Sequence, residues 1–166
     1  MSADTPLHAL VGLLPVLTFL AALLYLDSYK LVKLRAVIAV VAFGAVVAAD
    51  GYLANAAILE LVDIDLISYS RYVAPLTEEL LKGLVIVFLI RSNRIGFLVD
   101  AAIFGFAVVT GFALVENLYF RVLIPDAGIG IWIVRGFGPA IMHGGATAVF
   151  AVSGLAVPKR AHRYNV

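Results

Sequence analysis

The chain has 166 residues, of which 63% are hydrophobic and 14% charged, with a formal net charge of +1. A soluble fold this short cannot hide so much apolar surface, and soluble domains carry roughly 25% charged residues, so the solvent for most of the chain is lipid. Basic residues cluster at segment ends rather than along one polar face, which excludes a nucleic-acid footprint. The absence of Cys excludes disulfides, thiolate metal sites and a Cys nucleophile.

A bilayer core about 30 Å thick needs about 20 predominantly apolar residues in a helix. Five charge-bounded runs approach or exceed that length, which predicts an all-α, polytopic transmembrane helical bundle forming one domain over residues 1–166. The opening MSADTPLHAL lacks the basic n-region of a signal peptide, so the first run, Leu7 to Leu26, reads as a retained span. Pro15 inside it predicts a kink. The second run, Leu34 to Leu59, carries Asp50 and Asn55, and Asp50 is expected to pair structurally with Lys82 or Arg135. From Val62 to Ala74, acids mixed with Ile, Leu and Tyr suggest an amphipathic stretch on the outer interface. Pro75 then falls in the first turn of the third helix, where its missing N–H costs nothing.

The third run, Tyr72 to Ile90, contains Glu78, Glu79 and Lys82. Glu78 and Lys82 have the i,i+4 spacing of an intrahelical ion pair, leaving Glu79 about 100° away and free. The fourth run, Phe97 to Leu123, opens with Asp100, expected as an interfacial partner of Arg91 or Arg94, and carries Glu116 and Asn117 near its other end. The fifth, Gly130 to Val157, holds Arg135, a kink-prone Pro139, and His143 with Thr147 on one face. Arg135 taken alone reads as a charge snorkelling to the headgroups. The frequent Gly and Ala of the last two runs predict that those helices pack closely.

Lys30, Lys33 and Arg35, then Arg91 and Arg94, then Lys159, Arg160 and Arg163 occupy alternate connections, while Glu60, Asp63, Asp65 and Asp126 occupy the others. This alternation predicts an outside N-terminus and a cytoplasmic C-terminus. Glu78, Glu79, Glu116 and Arg135 then lie in the outer half of the membrane, with His143 deeper.

A charge at the centre of a membrane helix costs about 2.5–3.5 kcal/mol, so each one needs a partner, a cavity or a purpose. Three Glu and a His supply the parts of water-activated amide hydrolysis: a buried carboxylate as general base, and an imidazole with a neighbouring hydroxyl or amide for the oxyanion. Neither a Ser-His-Asp arrangement nor a His-Glu-x-x-His helix is present. A metal held by Glu79, Glu116 and His143 is the alternative chemistry; the favoured reading uses no metal and no cofactor.

The ordered set Glu78-Glu79-x-x-Lys82, Asp100, Gly105, Gly111-Phe112-Ala-x-x-Glu116-Asn117, Arg135 and His143-x-x-x-Thr147 resembles the PrsW-type membrane proteases, distant relatives of the CAAX-prenyl endopeptidase and bacteriocin-processing membrane proteins. It covers residues 74–154. The resemblance implies glutamic-type intramembrane proteolysis of a membrane-anchored protein, such as an anti-sigma factor, cut on the extracytoplasmic side of a cell membrane. Glu78, Glu79, Glu116 and His143 would be catalytic, supported by Lys82, Asn117, Arg135 and Thr147. Two rival classes are a proton- or ion-coupled transporter or channel and a non-catalytic membrane scaffold. A relay should run through the full thickness, yet the inner half offers only Asp100.

Overall fold

The computed structural model describes residues 5–27 and 32–164; Lys30, used above for orientation, lies outside the described residues, as do the side chains of Lys159, Arg160 and Arg163. The described residues form helices and no strand: α1 (Thr5–Leu26), α2 (Leu34–Leu61), a short α3 (Leu66–Ser68), α4 (Ala74–Arg91), α5 (Leu98–Leu123) and α6 (Ile129–Tyr164). Three stretches, Leu34–Leu61, Leu98–Leu123 and Ile129–Val157, are long and apolar enough to cross a membrane, and Leu10–Leu26 is a shorter apolar helix. α4 falls short by composition because Glu78, Glu79, Lys82 and Arg91 lie within it.

α5 is the central element, packed by α1, α2 and α6, while α4 is held more by α6 and α2 than by α5. The core lies along these contacts, where Ile86, Ile103, Ala107, Val108 and Ala151 are buried. The close packing expected of the last two long helices is there at Gly105, and α5 meets α2 as closely at Gly111. A Cβ on Gly111 would run into the backbone carbonyl of Val41 on α2, and one on Gly105 would stand 3.0 Å from the Cα of Ala148 on α6. Leucines and phenylalanines on the outward faces, such as Leu76, Leu80, Leu84 and Phe88, stay exposed, as a lipid-facing surface requires.

The stretch before α4, read from the sequence as amphipathic, is largely helical. Asp65 caps α3, its side chain accepting a hydrogen bond from the Ser68 N–H, and a π turn over Tyr69–Val73 leads from α3 into α4. Pro75 keeps its place in the first turn of α4, and the wider turn before it supplies backbone room that a regular helix would deny the ring. Tyr69, buried in that turn, donates its hydroxyl to Asn55 of α2 at 3.0 Å and ties the π turn to the bundle.

Candidate active site

α4 presents Glu79 and Lys82 one turn apart, and the ion pair joins these two: Lys82 Nζ donates to Glu79 Oε1 at 2.8 Å. This corrects the i,i+4 pairing expected for Glu78. Spacings of three and four both bring side chains together on a helix, and a partner on another helix decides between them. That partner is His143 of α6, whose Nδ1 lies 2.5 Å from the same Glu79 Oε1. Lys82 has no exposed surface, and its ammonium also sits 4.0 Å from the centroid of the Phe112 ring of α5. One buried cation therefore meets three helices.

The ionised form of Glu79, paired with the Lys82 ammonium, assigns the imidazole's donor. A carboxylate only accepts, so Nδ1 must carry the proton that bonds Glu79. Lys82 Nζ, 3.4 Å from that nitrogen, is then a close neighbour with no lone pair to reach. Nε2 is the ring edge left for other work.

Thr147 lies one turn beyond His143, is 3% exposed, and its hydroxyl has no hydrogen-bond partner among the described residues. Thr18, Thr77 and Thr110 each donate to the carbonyl four residues earlier, at 2.7, 3.1 and 2.8 Å. Thr147 does not. A buried hydroxyl left unpaired costs about 1–3 kcal/mol, a cost that a ligand accepting from it would relieve. Glu78 is half-buried and makes no hydrogen bond or ion pair among the described residues, although the charges of Lys82, Glu116, His143 and Glu79 all bear on it.

Glu116 belongs to a second cluster. Arg135 of α6 binds Glu116 Oε1 through Nη2 at 3.1 Å and Asn117 Oδ1 through Nε at 3.3 Å, with its guanidinium 3.4 Å from the centroid of the Phe120 ring. Asn117 in turn donates to the Gly12 carbonyl of α1 at 3.3 Å. Arg135 is thus an interhelical clamp, and the snorkelling reading is overturned. Glu116 reaches the first cluster only through its charge on Glu78.

Asp50 and Asp100 also differ from expectation. Asp50 is exposed on the outer face of α2, paired with neither Lys82 nor Arg135, and lines a groove with Phe43, Leu81 and Phe88. Asp100 turns back on its own helix start, where Oδ2 accepts from the Phe97 N–H at 3.1 Å. The sequence reading missed Phe112 and Phe120 as platforms for the cations of Lys82 and Arg135, although each sits four residues from Glu116. It also missed a groove of about 630 Å³ between α4 and α6, lined by Glu79, Gly83, Thr147 and Phe150 among others.

A family model described as PrsW family intramembrane metalloprotease matches residues 32–166. No curated protein and no solved structure matches the chain. The word metalloprotease invites a test against the donor set. Carboxylate and imidazole are ordinary ligands, yet among the described residues no three His, Cys, Asp or Glu are gathered to hold a metal. The facing atoms of Glu79 and His143 are bonded to each other, and the Lys82 ammonium stands within 3.4 Å of both. As arranged, this set does not fit a metal ion.

Proposed function

The chain belongs to the PrsW family of intramembrane proteases, and from that premise we propose that it is an endopeptidase in which Glu78, not Glu79, activates water. One observation carries the choice. Glu79 Oε1 is engaged by both Lys82 and His143, which leaves Glu78 as the neighbouring carboxylate without a partner among the described residues. Glu78 takes a proton from water, and the hydroxide formed attacks the scissile carbonyl carbon. The oxyanion accepts from the Thr147 hydroxyl and, in the imidazolium form, from His143 Nε2–H. When the C–N bond breaks, Glu78 returns its proton to the leaving amine. Glu79, itself held by Lys82, holds the ring of His143, while Glu116, Asn117 and Arg135 fix α6 against α5 and α1.

The substrate is a membrane-anchored protein, for which a single-span anti-sigma factor is the example the family resemblance supplies. The charge alternation supports an outside N-terminus, a site in the outer half and cleavage on the extracytoplasmic face of the cell membrane.

The test uses purified protein in detergent with a panel of single-span substrates. Glu78→Gln should lower turnover by about 10²–10⁴-fold, and His143→Ala or Thr147→Val by about 10²–10³-fold, with each variant still folded. If Glu78→Gln cuts as fast as the parent, the assignment of the base is wrong. If a chelator abolishes cutting and zinc restores it, the water is activated by a metal and the mechanism above fails.

A further inference from the structure

We propose that the groove between α4 and α6 is the lateral entry and side-chain selection site for an unwound transmembrane segment of the substrate, with Gly83 and Phe150 setting the size of the side chain accepted. The proposal rests on the protease reading and deepens it.

The α4 side of the groove is one helical stripe, Leu76, Leu80, Gly83 and Val87 with Glu79 among them, and α6 supplies Thr147 and Phe150 opposite. Leu76, Leu80 and Phe150 are exposed at 62%, 61% and 47%, so the groove opens to lipid rather than into the bundle. From Leu76 to Val87 it runs roughly 16 Å along the axis at 1.5 Å per residue. An extended chain rises about 3.3 Å per residue, so about five residues fit.

Its two polar lining groups are suited to a peptide backbone. An unwound segment inside a bilayer exposes carbonyls that lipid cannot satisfy, and the buried, unpartnered Thr147 hydroxyl lies in the wall as a donor beside the Glu79 carboxylate. A segment still helical would keep its carbonyls bonded to itself and have nothing to offer Thr147. The second groove, between α2 and α4, is smaller at about 250 Å³, and its polar residue is Asp50, which only accepts when ionised.

Gly83 leaves the floor of the wider groove bare. A Cβ there would stand 3.5 Å from Phe150, an ordinary contact, so alanine fits while a longer side chain fills the space. Apart from Glu79 and Thr147 the remaining wall is leucine, valine and alanine, which selects a bulky apolar residue, while the Glu79 carboxylate repels an acidic one.

Two measurements test this in proteoliposomes, using single-span substrates that carry Leu, Phe, Ala or Asp at the scissile position. The parent should prefer Leu and Phe. Gly83→Leu should lower kcat/KM for these at least tenfold while sparing the Ala substrate, and Phe150→Ala should shift preference toward the larger ring; Phe43→Leu, in the other groove, should change nothing. A photo-crosslinker placed at Leu80 in a Glu78→Gln background should capture the Leu substrate, and one at Phe43 should not. Unchanged side-chain preference in both Gly83→Leu and Phe150→Ala, or capture from Phe43 alone, overturns the groove. Capture from Leu80 with no cleavage by the parent upholds the groove and defeats the protease reading instead.

Discussion

The buried ammonium of Lys82 gives a stability prediction whose sign is unusual. Lys82 is fully buried and its charge is balanced by Glu79 at 2.8 Å, with the Phe112 ring 4.0 Å away. Replacing Glu79 by leucine removes the counter-charge and strands the ammonium, a change that costs about 3–5 kcal/mol when a buried pair is broken. Lys82→Met in the parent loses a charge-assisted hydrogen bond, about 1.5–3 kcal/mol, and a cation–π contact of about 0.5–2 kcal/mol. It also relieves the desolvation of an ammonium, which offsets several kcal/mol. The net cost of Lys82→Met is therefore smaller than that of Glu79→Leu, and the double variant holds no stranded charge. Reversible unfolding in mixed SDS micelles, followed by far-UV circular dichroism, should place the double variant about 2 kcal/mol or more above the Glu79→Leu single. If the two changes simply add, Lys82 does not depend on Glu79 and the pairing on which the site is built is wrong.

Gly111→Ala forces a methyl group against the Val41 carbonyl and to within 2.7 Å of the Ala45 nitrogen, both backbone atoms that cannot swing aside; unfolding in the same micelles should show about 1–3 kcal/mol of destabilisation, and a value near zero would mean that α2 and α5 cross elsewhere. Asp50→Leu removes an exposed, unpaired carboxylate from a lipid-facing surface, so stability in the same assay should hold or rise; a clear loss would reveal a partner. Hydrogen bonds from Ser68, the side chain first and then the backbone N–H, hold the Asp65 carboxyl below its ordinary value. Because the folded value is the lower one, the cap's contribution is present above the unfolded value and fades as pH falls through the folded one. Ser68→Ala removes the hydroxyl and keeps the N–H, so it should move the Asp65 carboxyl carbon titration part of the way upward in NMR, and an unmoved midpoint would refute the hydroxyl's share.

The helices were legible because an apolar run bounded by charge is a one-dimensional signal, and the members of the site were legible because lipid makes each ionisable residue conspicuous. Pairing was not legible. Whether Lys82 takes Glu78 or Glu79 depends on where α6 sets His143, a contact between residues 64 positions apart. Asp50 failed for a related reason: α2 is apolar nearly all round, so nothing in its sequence says which face meets the bundle. Asp100 carried a readable signal in its place three residues after Phe97, where a carboxylate can reach back to the N–H at the helix start. The groove at Gly83 left no trace, because what defines it is a missing side chain facing a ring on another helix.

The two clusters divide the work of holding α6. Arg135 binds it to Glu116 and Asn117 of α5, and Asn117 carries the connection on to α1, so one end of α6 is anchored on two helices. On the side toward α4, the Glu79–His143 bond is the polar link between described side chains, and α4 packs only lightly on the central α5. A displacement of α4 therefore changes the Glu79–His143 distance before it disturbs the Arg135 clamp. The groove opens on this same seam, with Glu79 and Thr147 in its walls. A peptide wedged between α4 and α6 would act directly on the bond that orients the His143 ring, so seating of the substrate and alignment of the imidazole become one event rather than two.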